Sequence, residues 1–544
     1  MRRLLPGFFL ASAATLAAQA PSPAARLDTA FAPHNGTDRP GCAVSVVNRG
    51  QFVVARGYGM ADLASAQAIS ARSVFHVASV SKQFTAMSIV LLDQAGRLSL
   101  DDDVRKHIPE LPVYDRPITI RQMLHHTSGL RDQWNLLITA GWRLGDDLVS
   151  EQDVMDIVPR QKGLNFSPET DWSYSNTGFT LAAVIVRRVT GQSLRAFADS
   201  ALFKPLGMRD THFHDDNLMV VPGRTRGYTF RAGEWKETVP NYSTVGATSL
   251  FTTVEDLARW HGQLAQGTVG SRTAIATLTQ RPVLRTGDTL QYALGIQHGT
   301  LRGTPTLAHS GGDPGYASYL LHFPRTGSGV AVLCNTSGGA NPGRLAELAA
   351  DAYLGGELGP DVPLPSAVTA AQVAGMEGLY WSDSLEANGR VAVDSGIAVW
   401  RVGQGATRLR VRADGAWQLG AGAAFLRRQG DGTLMYTSGN GERAAYRRVD
   451  PATPAVADLS ALAARYSSDE LGVVWELRVH GDSLMLRRPK FAAARMVPLF
   501  RDTWTAGSGL GFVMRAVRDA RGKVTAITVG SGRVRHMRFA RIGE

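Results

Sequence analysis

The chain has 544 residues, too long for one core and suited to two to four domains. Apolar residues make up 44% and charged residues 19%, an ordinary globular balance. Two cysteines exclude a disulfide scaffold, an iron–sulfur protein and a multi-cysteine zinc module, and the net charge of +11 rests on arginine: only seven of 58 Lys plus Arg are lysines.

At the start, Arg2 and Arg3 precede an apolar stretch from Leu4 to Ala18, and Ala18-Gln19-Ala20 supplies small residues for cleavage. This pattern predicts a signal peptide over 1–20 and a periplasmic or secreted protein. No cysteine follows to take a lipid, and no 18-residue apolar run predicts an integral membrane segment. From 26 to 354, β-rich runs alternate with helical patterns. Cys42 to Val47 and Phe52 to Ala55 flank the turn signal Asn48-Arg49-Gly50 and read as a hairpin. Ser81 to Leu92 reads as a helix stopped by Gly96, and a further helix begins near Thr180. Tyr316 to Phe323 and Gly329 to Leu333 read as two late strands, so one sheet is assembled from distant segments beside a helical part. A Gly- and Pro-rich linker follows over 355–372. Beyond it, 373–450 and 455–544 show short alternating strands and similar openings, Met376-Glu377-Gly378-Leu379-Tyr380-Trp381-Ser382 and Ala463-Ala464-Arg465-Tyr466-Ser467-Ser468. Each has the length of a small antiparallel barrel of about eight strands.

The chemistry-bearing signal is Ser79-Val80-Ser81-Lys82. Residues three apart at a helix start share a face, with Cβ atoms about 5–6 Å apart. The unpaired N–H groups and dipole of a helix N-terminus favour negative charge on Ser79 and help lower the pKa of Lys82. A hydroxyl needs such a base to act as a nucleophile. Downstream, Tyr174-Ser175-Asn176 lies on a loop, where a phenol can share a proton with Lys82 and an amide can hold a substrate carbonyl. His309-Ser310-Gly311-Gly312 then opens a strand edge small enough for a substrate backbone to approach.

These three elements, in this order, resemble the serine β-lactamase and penicillin-binding superfamily, in its class C-like branch with peptidase family S12 and related esterases. The resemblance spans about 30 to 354. It implies an α/β catalytic domain with an antiparallel sheet, flanking helices and a helical lobe. It also implies an acyl-enzyme on Ser79, Lys82 and Tyr174 as the base pair, substrate contacts from Asn176, His309, Ser310 and Gly311, and an oxyanion hole from the N–H groups of Ser79 and Gly312. His309 replaces the lysine usual in class C β-lactamases and resembles D,D-carboxypeptidase, D-aminopeptidase and esterase members instead. A histidine is mostly neutral at pH 7, so a substrate carboxylate is held less well. In the resembled fold the first and last strands are neighbours, which implies that Cys42 and Cys334 can pair. The modules resemble the lipocalin-like barrels that follow some D-specific peptidases of this kind.

Other signals read as structural. Leu124-His125-His126-Thr127-Ser128-Gly129-Leu130, also common in the resembled proteins, offers caps and a turn. His212-Phe213-His214-Asp215-Asp216 lacks the next histidine of a zinc set, and Trp134, Trp142 and Trp172 read as lobe core. Arg533, Arg535, Arg538 and Arg541 read as a solvated barrel exterior. No Gly-x-Ser-x-Gly elbow and no nucleotide-binding glycine pattern is present. The expectation is an exported serine hydrolase acting on D-residue peptides, with no cofactor, no metal and no nucleic-acid partner. A promiscuous carboxylesterase or weak β-lactamase, and a non-catalytic envelope binding protein, are the alternatives; the oligomeric state is left open.

Overall fold

The computed structural model describes residues 21–506 and 511–543, so the signal-peptide expectation over 1–20 lies outside the described residues. Two early strands, β1 (Cys42–Asn48) and β2 (Gln51–Tyr58), meet through Arg49 and Gly50, both at positive φ, the geometry of a tight hairpin turn. Four late strands complete the sheet: β3 (Gln297–Leu301), β4 (Thr304–Asp313), β5 (Tyr316–Phe323) and β6 (Ser328–Cys334). The order is β3-β4-β5-β6-β1-β2, antiparallel throughout. Chain start and chain end of this portion therefore meet at the β1–β6 seam, where Cys42 and Cys334 are register partners and form a disulfide.

Strand periodicity sorts the seam by face. Cys42, Val44 and Val46 point to one side with Val330, Val332 and Cys334. They pack on α1 (Pro23–Phe31) through Leu27 and Phe31, and on α6 (Pro342–Leu354) through Leu345, Ala349 and Leu354. Complete burial of Leu27 and Phe31 stabilises the docking by about 1.5–3 kcal/mol each. The opposite face carries Ala43, Ala331 and Leu333 toward the lobe built around α2 (Lys82–Gln94), α3 (Gln133–Ala140), α4 (Thr177–Thr190) and α5 (Val254–Gln266). Helix α4 starts three residues before the expected Thr180, because Asn176 closes its N-terminus while its side chain is used elsewhere.

Past Leu354 the chain makes two closed antiparallel barrels of eight strands, from Gly378–Ser382 to Arg443–Val449 and from Ala464–Ser468 to Met537–Ile542. Their openings are repeats in three dimensions: the Tyr380 hydroxyl donates to the Met376 carbonyl at 2.9 Å, and the Tyr466 hydroxyl to the Leu462 carbonyl at 2.8 Å. Closure leaves neither barrel with an unpaired sheet edge among the described residues.

The second barrel packs into the lobe, its Trp475, Met514 and Phe539 continuing the core that holds Leu136 and Leu137 of α3. The connection between its last two strands, residues 531–536, docks on the same wall. Asn135 Nδ2 donates to the Ser531 carbonyl at 2.8 Å, Asn165 Nδ2 to the Arg533 carbonyl at 2.9 Å, and the Arg535 N–H to Asn165 Oδ1 at 2.8 Å. Arg533 and Arg535 thus correct the reading of a solvated last strand: they lie before it, on the face turned to the lobe.

Candidate active site

Ser79 sits on a 3-10 turn, Ala78–Ser81, that runs straight into α2. Ala78 is held at φ 48°, and Ser81 ties the turn down by donating to the Ala78 carbonyl at 2.5 Å and accepting from the Leu250 N–H at 3.0 Å. One turn on, Lys82 is fully buried. Its Nζ lies 3.1 Å from Ser79 Oγ, 2.8 Å from Asn176 Oδ1 and 2.7 Å from the Ala247 carbonyl.

The protonation of Lys82 follows from these partners. Burial draws its pKa from 10.5 to about 7; Asp313 and Asp132 pull it back up, and Arg533 pushes it further down. The Ala247 carbonyl can only accept. Asn176 must also present its oxygen, because its Nδ2 donates to Asp132 Oδ2 at 2.7 Å and a carboxylate cannot donate. A neutral Lys82 therefore spends two N–H groups on these acceptors and turns its lone pair to the Ser79 hydroxyl.

Asp132 has no counterpart among the sequence-level candidates. It is fully buried and accepts from the N–H groups of Asn176, Trp134 and Asn135 as well as from Asn176 Nδ2. As the N-cap of α3 it has an ordinary capping signature, which conceals its second task of orienting Asn176.

Tyr174 completes the cluster with its ring 4.9 Å from Lys82 Nζ. Burial raises its pKa, while a hydrogen bond with Ser79 and the charge of Arg533 pull it down. The His126 segment holds this loop: Ser173 donates its N–H to the His126 carbonyl at 3.0 Å, and the Ser175 N–H donates to His126 Nδ1 at 3.2 Å. That contact makes the His-Thr-Ser-Gly stretch a support for Tyr174 and Asn176.

Strand β4 brings the third element. Ser310 and Gly312 face a cleft of about 890 Å³ together with Ser79, Tyr174, Asn176 and His309. Gly311, read from sequence as a substrate contact, instead faces the nucleophile turn. A Cβ there would overlap Ser318 Oγ and the Val77 carbonyl, so glycine is required for β4 to pass this close. Gly312 has open space where a Cβ would stand. His309 is 5% exposed, and both ring nitrogens are used. Nδ1 lies 2.6 Å from the Ser310 carbonyl, which can only accept, so Nδ1 carries the proton and Nε2 accepts from the Tyr292 hydroxyl at 2.7 Å. Burial and the nearby Lys82 hold its pKa down to about 3, so it is neutral. It buttresses the cleft wall and offers no cation to a substrate.

The barrels reach the cleft. Asn440 and Glu442 of the first and Gly532 and Arg533 of the second line it, as do Trp134 and Trp172, which serve the cleft wall and not the lobe core alone. Arg535, 2% exposed, bridges Asp171 at 3.2 Å and Glu442 at 2.8 Å. Asp313, at the end of β4, accepts from Thr248 and pairs with His76 at 2.8 Å. His212 and His214 pack on the Phe251 ring, away from this cleft.

Residues 27–354 match the beta-lactamase family. A D-aminopeptidase of Cereibacter sphaeroides (strain ATCC 17023) is 26% identical over 525 residues, covering 92% of this chain and 96% of that protein. Penicillin-binding protein 4* of Bacillus subtilis (strain 168) is 29% identical over 291 residues, covering 50% of this chain but only 63% of that relative's length. Among solved structures, the octameric penicillin-binding protein homologue from Pyrococcus abyssi shares the fold, with a TM-score of 0.54 and 20% identity over 84% of this chain and 95% of that one.

Proposed function

This chain belongs to the beta-lactamase family and is a serine hydrolase; we propose that it is exported and cleaves amide bonds in compounds built on D-residues through an acyl-enzyme on Ser79. The observation that carries the mechanism is the environment of Lys82: a buried amine with a pKa of about 7, two acceptor-only neighbours and Ser79 Oγ at 3.1 Å. In its neutral form Lys82 takes the Ser79 proton as Oγ attacks the substrate carbonyl. The N–H groups of Ser79 and Gly312 receive the developing oxyanion, and small donors aimed at that charge are worth several kcal/mol. Lys82, with Tyr174 beside it, returns the proton to the leaving amine. Water then enters by the same base to release the acid. Asn176 and Ser310 flank the incoming substrate, and His309 and Gly311 hold the wall in place.

The D-configured substrate rests on the relative named D-aminopeptidase, whose match runs through the barrels as well as residues 27–354. Export is supported by the Cys42–Cys334 disulfide, which persists in oxidising compartments. The test is a matched panel of D- and L-amino-acid amides, D-Ala-D-Ala peptides, p-nitrophenyl esters and nitrocefin, compared by kcat/KM. D-amides should exceed their L-enantiomers by at least about tenfold, a difference of about 1.4 kcal/mol. Equal rates for the enantiomers, with esters far ahead, would replace this reading with a promiscuous esterase.

A further inference from the structure

We propose that Arg533, delivered by the second barrel, seats a carboxylate of the substrate beside the nucleophile, so that this hydrolase selects anionic substrates. The inference rests on the Ser79 reading above. Arg533 lines the cleft with its guanidinium 4.7 Å from the centre of the Tyr174 ring, and the same ring centre lies 4.9 Å from Nζ of Lys82, the base beside Ser79. The cation and the base that holds Ser79 Oγ at 3.1 Å thus share one aromatic ring as a neighbour.

Three features distinguish Arg533 from an arginine that merely faces water. Its backbone is fixed: the carbonyl accepts from the Asp132 N–H at 3.1 Å and from Asn165 Nδ2 at 2.9 Å, and Asp132 is the residue that orients Asn176. Its guanidinium is laid against an aromatic face, which limits its freedom before any ligand arrives. Above all it is unpaired, with no carboxylate in ion-pair reach among the described residues. The carboxylates of the same wall are already engaged, Asp313 by His76 and Thr248 and Glu442 by Arg535. His309 is neutral, so among the described residues lining the cleft Arg533 is the one that carries a free positive charge. A guanidinium presents a planar fork of donors that fits a carboxylate in two parallel bonds, so the complementary group is a carboxylate rather than an ammonium.

The test uses the full chain and ester pairs that differ only in charge. On the acyl side, p-nitrophenyl esters of hexanoate, adipate and 6-aminohexanoate are compared. On the leaving side, 3-carboxyphenyl and 3-carbamoylphenyl hexanoate are compared. Acylation rates are measured for the wild type, Arg533→Gln, Arg533→Glu and Arg533→Lys. In the wild type at least one carboxylate ester should outrun its neutral partner by about tenfold. That ratio should collapse to about one in Arg533→Gln, survive in part in Arg533→Lys and reverse toward the ammonium ester in Arg533→Glu. Using ratios removes any general loss of rate in a variant. Ratios identical in wild type and Arg533→Gln on both sides overturn the proposal. Failure of the underlying reading looks different: Ser79→Ala would then hydrolyse all five esters undiminished.

Discussion

Replacing Arg533 with glutamine should also move the pH dependence of catalysis, by a separate physical route. Lys82 Nζ and the Arg533 guanidinium each lie within 5 Å of the centre of the Tyr174 ring, so they are no more than about 10 Å apart. At an effective dielectric between about 20 and 80, that separation corresponds to about 0.4–1.7 kcal/mol of repulsion between two cations. Arg533 thereby disfavours protonated Lys82 by about 0.3–1.2 pK units. Asp132 and Asp313 pull the other way and stay in place in the variant. His309 is neutral at this pH, and burial holds His126 well below its ordinary pKa, so neither histidine compensates. The base form of Lys82 exists above its pKa, so kcat/KM rises with pH through about 7 in the wild type. In Arg533→Gln that rise should shift upward in pH by the same amount, about 0.3–1.2. The assay is kcat/KM for a neutral ester, p-nitrophenyl butyrate, from pH 5.5 to 9.5 at constant ionic strength. A neutral substrate keeps charge selection out of the profile. An acidic limb that stays put, or moves to lower pH, refutes the reasoning.

Four other perturbations have defined outcomes. Asp132→Asn should cut acylation by at least about tenfold and shift the same limb downward, because it removes a charge that favours protonated Lys82 and the acceptor that orients Asn176. Gly311→Ala forces a Cβ against the Val77 carbonyl and should lower both acylation and stability, the latter by about 1–3 kcal/mol in thermal unfolding. Burial raises the Glu442 carboxyl from 4.5 to about 7, so between those values the folded chain keeps a proton that the unfolded chain has lost. Stability should therefore fall by up to about 3 kcal/mol as pH rises from about 4.5 to about 7, and Glu442→Gln should flatten that slope in urea unfolding. Cys42→Ser opens the β1–β6 seam and should cost about 2–5 kcal/mol, while the denatured, unreduced wild type should show no titratable thiol.

What the sequence made legible is what is local or periodic. Ser79 and Lys82 are three residues apart on one helical turn, so their pairing needs no knowledge of the rest of the chain. Tyr174 and Asn176 come just before a helix start, and the barrels announce themselves through short alternating strands. The residues that escaped depend on long-range approach. Arg533 and Arg535 look like surface arginines until a connection 368 residues beyond Asn165 docks on the lobe. Asp132 is indistinguishable from any N-cap until Asn176 arrives against it from 44 residues away. The neutral state of His309 is set by its burial and by Lys82, which stands far earlier in the chain. The motif groups Gly311 with its substrate-facing neighbours, whereas its actual constraint is the closeness of the Val77 carbonyl.

The central claim is that Ser79 forms the covalent intermediate, and active-site labelling tests it most directly. Wild type and Ser79→Ala, both checked for folding by thermal unfolding, are treated with a fluorophosphonate, and the adduct is located by peptide mass mapping. The account predicts one adduct, on the peptide that carries Ser79, and none in the variant. An adduct on another residue, or undiminished labelling of Ser79→Ala, would contradict it.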